Sequence, residues 1–217
     1  MTEFKHSIPS GIPVYWDQAK QCLKDSDLVL RRVIEHFESF DDTPLKSRGD
    51  LFYTLANAIV GQQISAVAAA AIWGRFVAYL SGTVGYQSVL ISSPAELKDL
   101  GLSTRKVEYL QGVASSMPKL LEFPWSSMTD EEVRETLCTL RGVGPWTAEM
   151  VLIFTLMRPN ILPLGDIGVI RAVEKCYAQG QKLSKDEVSK IAEKWQPYRT
   201  VAVWYLWRTI DTEPVEY

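Results

Sequence analysis

Residues 140–148 read Leu-Arg-Gly-Val-Gly-Pro-Trp-Thr-Ala and stand between two stretches of helical pattern, DEEVRETLCTL before and TAEMVLIFTLM after. Glycine at a turn between helices permits a backbone with positive φ and removes side chains that would hold another molecule away. The helix that follows offers unpaired N–H groups and the positive end of its dipole, so a phosphate fits over such a turn without a lysine. Asp166 stands apart, after Pro163-Leu-Gly and before IGVIRAVEKC. A carboxylate at a helix start caps free amides and is favoured in its charged form; the same charge can stabilise a cation that develops during a reaction. Taken alone, each feature has a plain structural reading: a turn in a helical hairpin, and an N-cap.

Two further segments restrict the choice. One is Ile59-Val-Gly-Gln-Gln-Ile-Ser65; the other is Trp195-Gln-Pro-Tyr-Arg-Thr-Val-Ala-Val-Trp-Tyr-Leu-Trp207. With the glycine turn and Asp166 between them, in that order, the chain resembles the helix-hairpin-helix DNA glycosylases of base excision repair. Within that superfamily it is similar to 3-methyladenine DNA glycosylase II, the AlkA and MAG type, over roughly residues 45 to 210.

The resemblance implies a role for each motif. Asp166 would be the catalytic carboxylate, stabilising the cationic sugar and orienting a water. Trp146, Trp207 and Tyr53 would line the pocket for the extruded base. Gln62, Gln63, Ser65, Gly142, Gly144 and Thr147 would contact DNA, with Gln63 filling the gap that the flipped nucleotide leaves. The backbone carbonyls of Cys138, Leu140 and Val143 would hold a monovalent cation, Na+ or K+, at the hairpin; no other cofactor is implied. The partner would be double-stranded DNA with alkylated bases. Trp146 occupies the position where glycosylase-lyases carry a catalytic lysine, and the cysteine quartet of the iron-sulfur relatives is missing. The implied enzyme therefore cuts the N-glycosidic bond and leaves the strand intact. An adenine alkylated at N3 or a guanine alkylated at N7 is a cation and a good leaving group, so none of these motifs needs a histidine as acid. Two other readings share parts of this pattern. A glycosylase for another damaged or mismatched base has the same fold, and a non-catalytic helix-hairpin-helix DNA-binding protein explains the glycine turn alone.

The elements that must position these residues are helical. Asp27, Asp50, Ser65 and Ser103 each precede an apolar periodic run, and Ser93/Glu96, Thr129/Glu132 and Ser184/Glu187 have the spacing of capping boxes. Gly82 and Gly101 end two of the runs. Alanine-rich SAVAAAAIWGRFVAYL suits close helix approach, and Val107, Leu110 and Val113 share an inner face, with Arg105 and Lys106 in that helix's first turn. The pattern predicts about ten short helices and an all-α fold. Two helical lobes are expected, residues 44–162 as the central one containing the hairpin and 1–43 plus 163–217 as the other, with the active site in the cleft between them. An N-terminal β-sheet domain like that of longer AlkA-type enzymes is not expected.

Composition sets the outer bounds. With 217 residues, 47% of them hydrophobic, the chain can bury a sizeable core, and a net charge of −3 argues against a uniformly basic surface. Cys22, Cys138 and Cys176 lie far apart without a CxxC pair, the N-terminus lacks a signal-peptide pattern, and no apolar run is long enough to span a membrane. A monomeric cytoplasmic protein is expected, associated with the nucleoid in a bacterium or nuclear in a eukaryote. His6 and His36 read as surface residues. Trp16, Trp73, Trp195 and Trp204 read as packing, and Arg171 with Glu174 as a solvated pair.

Overall fold

Asp27 divides the first helical hairpin in two. Helix α1 (Trp16–Ser26) ends and α2 (Leu28–Glu38) begins around it, and its carboxylate accepts the N–H groups of Val29 and Leu30 at 2.8 and 3.2 Å. In this computed structural model residues 8–211 are described, so His6 and both extremities of the expected second lobe lie outside the described residues. Further along run α3 (Leu51–Gly61), α4 (Ala66–Tyr79), α5 (Tyr86–Ile91), α6 (Pro94–Asp99), α7 (Thr104–Leu120), α8 (Asp130–Cys138) and α9 (Pro145–Phe154). They are followed by α10 (Ile167–Tyr177), α11 (Lys185–Ile191), a 3-10 turn (Ala192–Trp195) and α12 (Arg199–Arg208). The fold is all-α; among the described residues the one β-type pairing is an isolated bridge between Gly11 and Ser47. Among the described residues twelve α-helices stand where about ten are expected; α1 and α5 have no side-chain cap to mark their starts.

The caps form as the sequence predicts. Asp50, Ser65 and Ser103 accept N–H groups from the first turns of α3, α4 and α7, and all three capping boxes are complete. Each such cap is worth about 0.5–2 kcal/mol relative to alanine.

The chain divides into two compact units, one built on residues 49–156 and the other on 9–48 with 157–211. In the first, α3 packs against α4, α7 and α9, and α8 lies on α9. Helix α9 is buried through Met150, Val151, Leu152, Ile153 and Phe154, an apolar surface all round that only a core accepts. A buried hydrogen bond of 2.8 Å joins Thr155 to Thr54. The alanine-rich helix departs from expectation: Phe76 is the buried residue of α4, and Ala66, Ala70, Ala71 and Ala78 are exposed. Near its start a Cβ on Gly61 would stand 4.0 Å from the Ala69 methyl, and further along a Cβ on Gly101 would stand 3.4 Å from Ile72 Cγ1.

In the second unit α12 is the centre, buried from Thr200 to Arg208 and packed by α1, α2, α10 and the 3-10 turn. Trp16, Trp195 and Trp204 are buried in the core, and Trp73, in the first unit, is half-buried and stacked on Phe76 at 5.4 Å, so all four serve packing as expected. His36 is exposed. Glu174 corrects the expected solvated pair: it is only 4% exposed and accepts from Lys182 Nζ at 2.9 Å and the Leu183 N–H at 3.2 Å, while Arg171 lies in solvent. A helical (i, i+3) spacing brings Arg171 near but leaves Glu174 turned toward the α10–α11 connection.

Candidate active site

Asp166 is the N-cap of α10, accepting the Val169 N–H at 2.8 Å on Oδ1. The same oxygen accepts the indole N–H of Trp207, 41 residues further on in α12, at 3.1 Å. Asp166 is half-buried and borders a cavity of about 300 Å³ whose walls include Ile167, Ile170, Arg171 and Lys185. A charged oxygen held by two donors beside open space can face a cation formed in that space. A larger depression of about 640 Å³, among Arg32, Phe37, Phe40 and Arg208, holds none of the motif residues, and its Asp41 is paired with Arg208 at 2.7 Å. Size therefore does not identify the site; the carboxylate does.

In the first unit the glycine turn is built as its two glycines require, but for different reasons. Gly142 has φ +90°, and a Cβ there would lie 2.1 Å from the Tyr109 ring. Gly144 has φ −107°, and a Cβ there would meet nothing within 4 Å. The expectation of a positive φ thus holds at Gly142 alone, and Gly144 keeps only the space above the turn clear. Pro145 starts α9, and the first amide to close a helical bond is that of Ala148, onto Gly144 O at 3.0 Å. Trp146 is half-buried on the first turn. Thr147 is buried, at 1% exposure, so its side chain faces the protein.

Gln62 ties the upstream loop to this turn. Its amide nitrogen donates to Gly142 O at 2.9 Å and to the Thr147 hydroxyl at 3.0 Å. Gln62 is therefore directed into the protein. Gln63, next in the chain, has φ +58° and is exposed, as is Ser65, the cap of α4. A positive φ on a non-glycine residue costs energy and collects at functional loops. Tyr53 is half-buried, edge-on to Trp73 at 5.1 Å.

Two residues to which the sequence assigns no role in the site complete this frame, both on α7. Lys106 Nζ donates to Val60 O at 2.7 Å at the end of α3, and burial holds its amine below the usual lysine range. Tyr109 is the plate under Gly142, with the Arg141 guanidinium 5.8 Å from its ring centre and Arg141 paired to Glu108 at 2.9 Å. No local pattern marks either residue, because their partners lie tens of residues away.

The hairpin carbonyls suit a hard monovalent ion in their chemistry. Cys138 closes α8 and Leu140 follows it, so these two oxygens lie at a helix C-terminus where carbonyls lack helical partners, and Val143 lies in the turn just before the N-cap of α9. Leu140 O accepts the Val143 N–H at 3.0 Å, which leaves it a second lone pair. Among the described residues no group of three or more His, Cys, Asp or Glu could hold a metal ion, and no helix is long and apolar enough to cross a membrane.

Known proteins agree with this architecture. The chain is 32% identical over 202 residues to YfjP of Bacillus subtilis, covering 84% of this chain and 70% of that one; its name assigns it provisionally to the DNA-3-methyladenine glycosylases. It is 27% identical over 192 residues to DNA-3-methyladenine glycosylase 1 of Schizosaccharomyces pombe, covering 82% and 81%. The structure of the fission-yeast 3-methyladenine DNA glycosylase Mag1 in complex with abasic DNA superposes with a TM-score of 0.78 at 26% identity, over 88% of this chain and 96% of that one. The 3-methyladenine DNA glycosylase of Archaeoglobus fulgidus gives 0.75 at 28% identity, over 89% and 74%. Residues 56–197, which carry the Gln62–Gln63 loop, the glycine turn and Asp166 together, match the HhH-GPD superfamily of base excision DNA repair proteins, and the chain belongs to that family.

Proposed function

We propose that the protein is a monofunctional DNA glycosylase that extrudes cationic alkylated purines, such as 3-methyladenine and 7-methylguanine, from double-stranded DNA and releases them by hydrolysis. The observation that carries this reading is Asp166, held on one oxygen by Val169 and Trp207 beside a cavity, in a chain whose relatives bear 3-methyladenine glycosylase names. The N-glycosidic bond breaks with its electron pair going to the base, which leaves neutral. Asp166 stabilises the sugar cation, water adds at C1′, and its proton is lost to Asp166 or solvent. Trp146 and Tyr53 border the base, where an indole attracts a cationic ring by roughly 0.5–2 kcal/mol.

Gly142, Gly144 and Thr147 contribute backbone N–H groups to a phosphate, and Gln63 and Ser65 meet the DNA where the nucleotide leaves the stack. Gln62 serves this contact indirectly, by holding the two loops together. The carbonyls of Cys138, Leu140 and Val143 would hold Na+ or K+, which would supply positive charge to the phosphate contact. Trp146 offers no amine, so no Schiff base forms at that position. The protein acts as a monomer on chromosomal DNA.

The test is incubation with methylated duplex DNA, reading free bases and strand integrity separately. Release of 3-methyladenine and 7-methylguanine with an unbroken abasic strand is expected. Strand nicking trapped by borohydride as a covalent adduct, or equal excision of 8-oxoguanine and 3-methyladenine, would overturn the assignment.

A further inference from the structure

We propose that Trp207 and Gly168 form a device that fixes the Asp166 carboxylate: the indole N–H sets its rotation, and Gly168 is the gap through which the indole reaches it. The inference rests on the reading of Asp166 as the group that stabilises the sugar. A carboxylate held only by its cap bond to Val169 can still turn about its side-chain torsions. Two donors from different helices on one oxygen, at 2.8 and 3.1 Å, define its plane.

Gly168 gives independent support. It is the second residue of α10, and no positive φ demands a glycine there. A Cβ there would lie 2.9 Å from Asp166 Oδ1 and 3.3 Å from both Trp207 Cδ1 and Nε1. The missing side chain is therefore the space in which carboxylate and indole meet. Trp207 itself is 7% exposed, which leaves little ring face for a stacked base but does not affect its N–H. Trp207 is on this account a positioning residue whose effect on the reaction passes through Asp166.

Trp207→Phe keeps an aromatic ring and removes the donor; Gly168→Ala keeps the donor and crowds the meeting point. In single-turnover release of 7-methylguanine from methylated duplex DNA, both variants are expected to lose about tenfold or more in rate, the effect of one hydrogen bond to a charged group. Affinity for duplex containing an abasic site should stay within about twofold, and Trp207→Phe should add nothing to Asp166→Asn. A ring that only stacks on the base would behave otherwise, adding its cost to that of Asp166→Asn. Wild-type rates in both single variants would overturn the proposal. A second readout does not depend on base release: in protein labelled with 15N at tryptophan, the Trp207 indole proton should move upfield in Asp166→Asn and in Gly168→Ala. An indole resonance indifferent to both variants overturns the device even if the protein is a glycosylase, whereas a shifted resonance in a protein that frees no alkylated base upholds the device and removes the functional reading.

Discussion

Replacing Asp166 by Asn retains an oxygen for the Val169 amide and removes the negative charge, so capping and catalysis separate in one variant. Base release should fall by about 10² to 10³, the size of a lost electrostatic contact in a transition state. The melting temperature and the affinity for abasic DNA should change little. Near-normal turnover would leave Asp166 only its cap. The glycines of the turn separate in the same way. Gly142→Ala forces a Cβ into the Tyr109 ring at a φ of +90°, and should cost about 2 kcal/mol or more in a denaturant titration. Gly144→Ala meets nothing within 4 Å and has an ordinary φ, so it should melt like the parent. Its effect should appear only on DNA, equally on damaged and undamaged duplex, because a phosphate contact carries no base information. A Gly144→Ala variant that lost only its preference for damaged DNA would contradict this. The sequence Gly-Val-Gly does not tell these residues apart, since φ is set by the path to Pro145 and by a tyrosine 33 residues upstream of Gly142.

At the scale of elements, what is legible in the sequence is what is local. Caps at Asp27, Asp50, Ser65, Ser93, Ser103, Thr129 and Ser184 involve partners two or three residues away, and all of them form. Gln62 with Gly142, Lys106 with Val60 and Tyr109 beneath the turn span 33 to 80 residues, and no periodicity encodes them. Glu174 escapes a sequence reading for the same reason, since its Lys182 partner lies beyond the end of α10. Asp27 shows both kinds of information in one side chain. Its cap bonds are legible; its contacts with Tyr177 at 2.6 Å, Trp195 at 3.0 Å and Lys194 at 3.1 Å are not. Burial alone would raise its pKa, but the hydrogen bonds from Tyr177, Trp195 and Leu30 outweigh it and hold the carboxyl below its usual range. A depressed pKa stabilises the fold above the unfolded value, about 3.9, and that stability is lost as the pH falls through the folded one. Asp27→Asn should therefore cost about 1–3 kcal/mol at pH 7. The gap to the parent should narrow in urea titrations below about pH 4. A gap that is constant from pH 7 to pH 3 would mean that the charge contributes nothing.

The molecule as a whole carries a net charge of −3, which from composition alone speaks against nucleic acid as a partner. The glycine turn removes the conflict, because amide N–H groups and a helix dipole bind a phosphate without a side-chain cation. Beside Asp166 the situation is similar: Lys182 is already paired with Glu174, and Arg171 and Lys185 are the cations that remain along that cavity. If DNA is held chiefly at the turn and beside Asp166, few phosphates are neutralised by lysine or arginine. Each one that is contributes about −0.9 to the slope of log affinity against log salt. For duplex containing an abasic site, the slope should be about −4 or shallower, against the roughly −6 to −9 of a protein that tracks the backbone with a basic surface. Binding isotherms between about 50 and 200 mM KCl measure it directly. A slope near about −6 or steeper would mean that a basic track on this chain carries the duplex and that the glycine turn is a minor contact. A shallow slope that steepens no further in Gly144→Ala, while affinity falls at every salt concentration, is the behaviour of a phosphate held by uncharged amides.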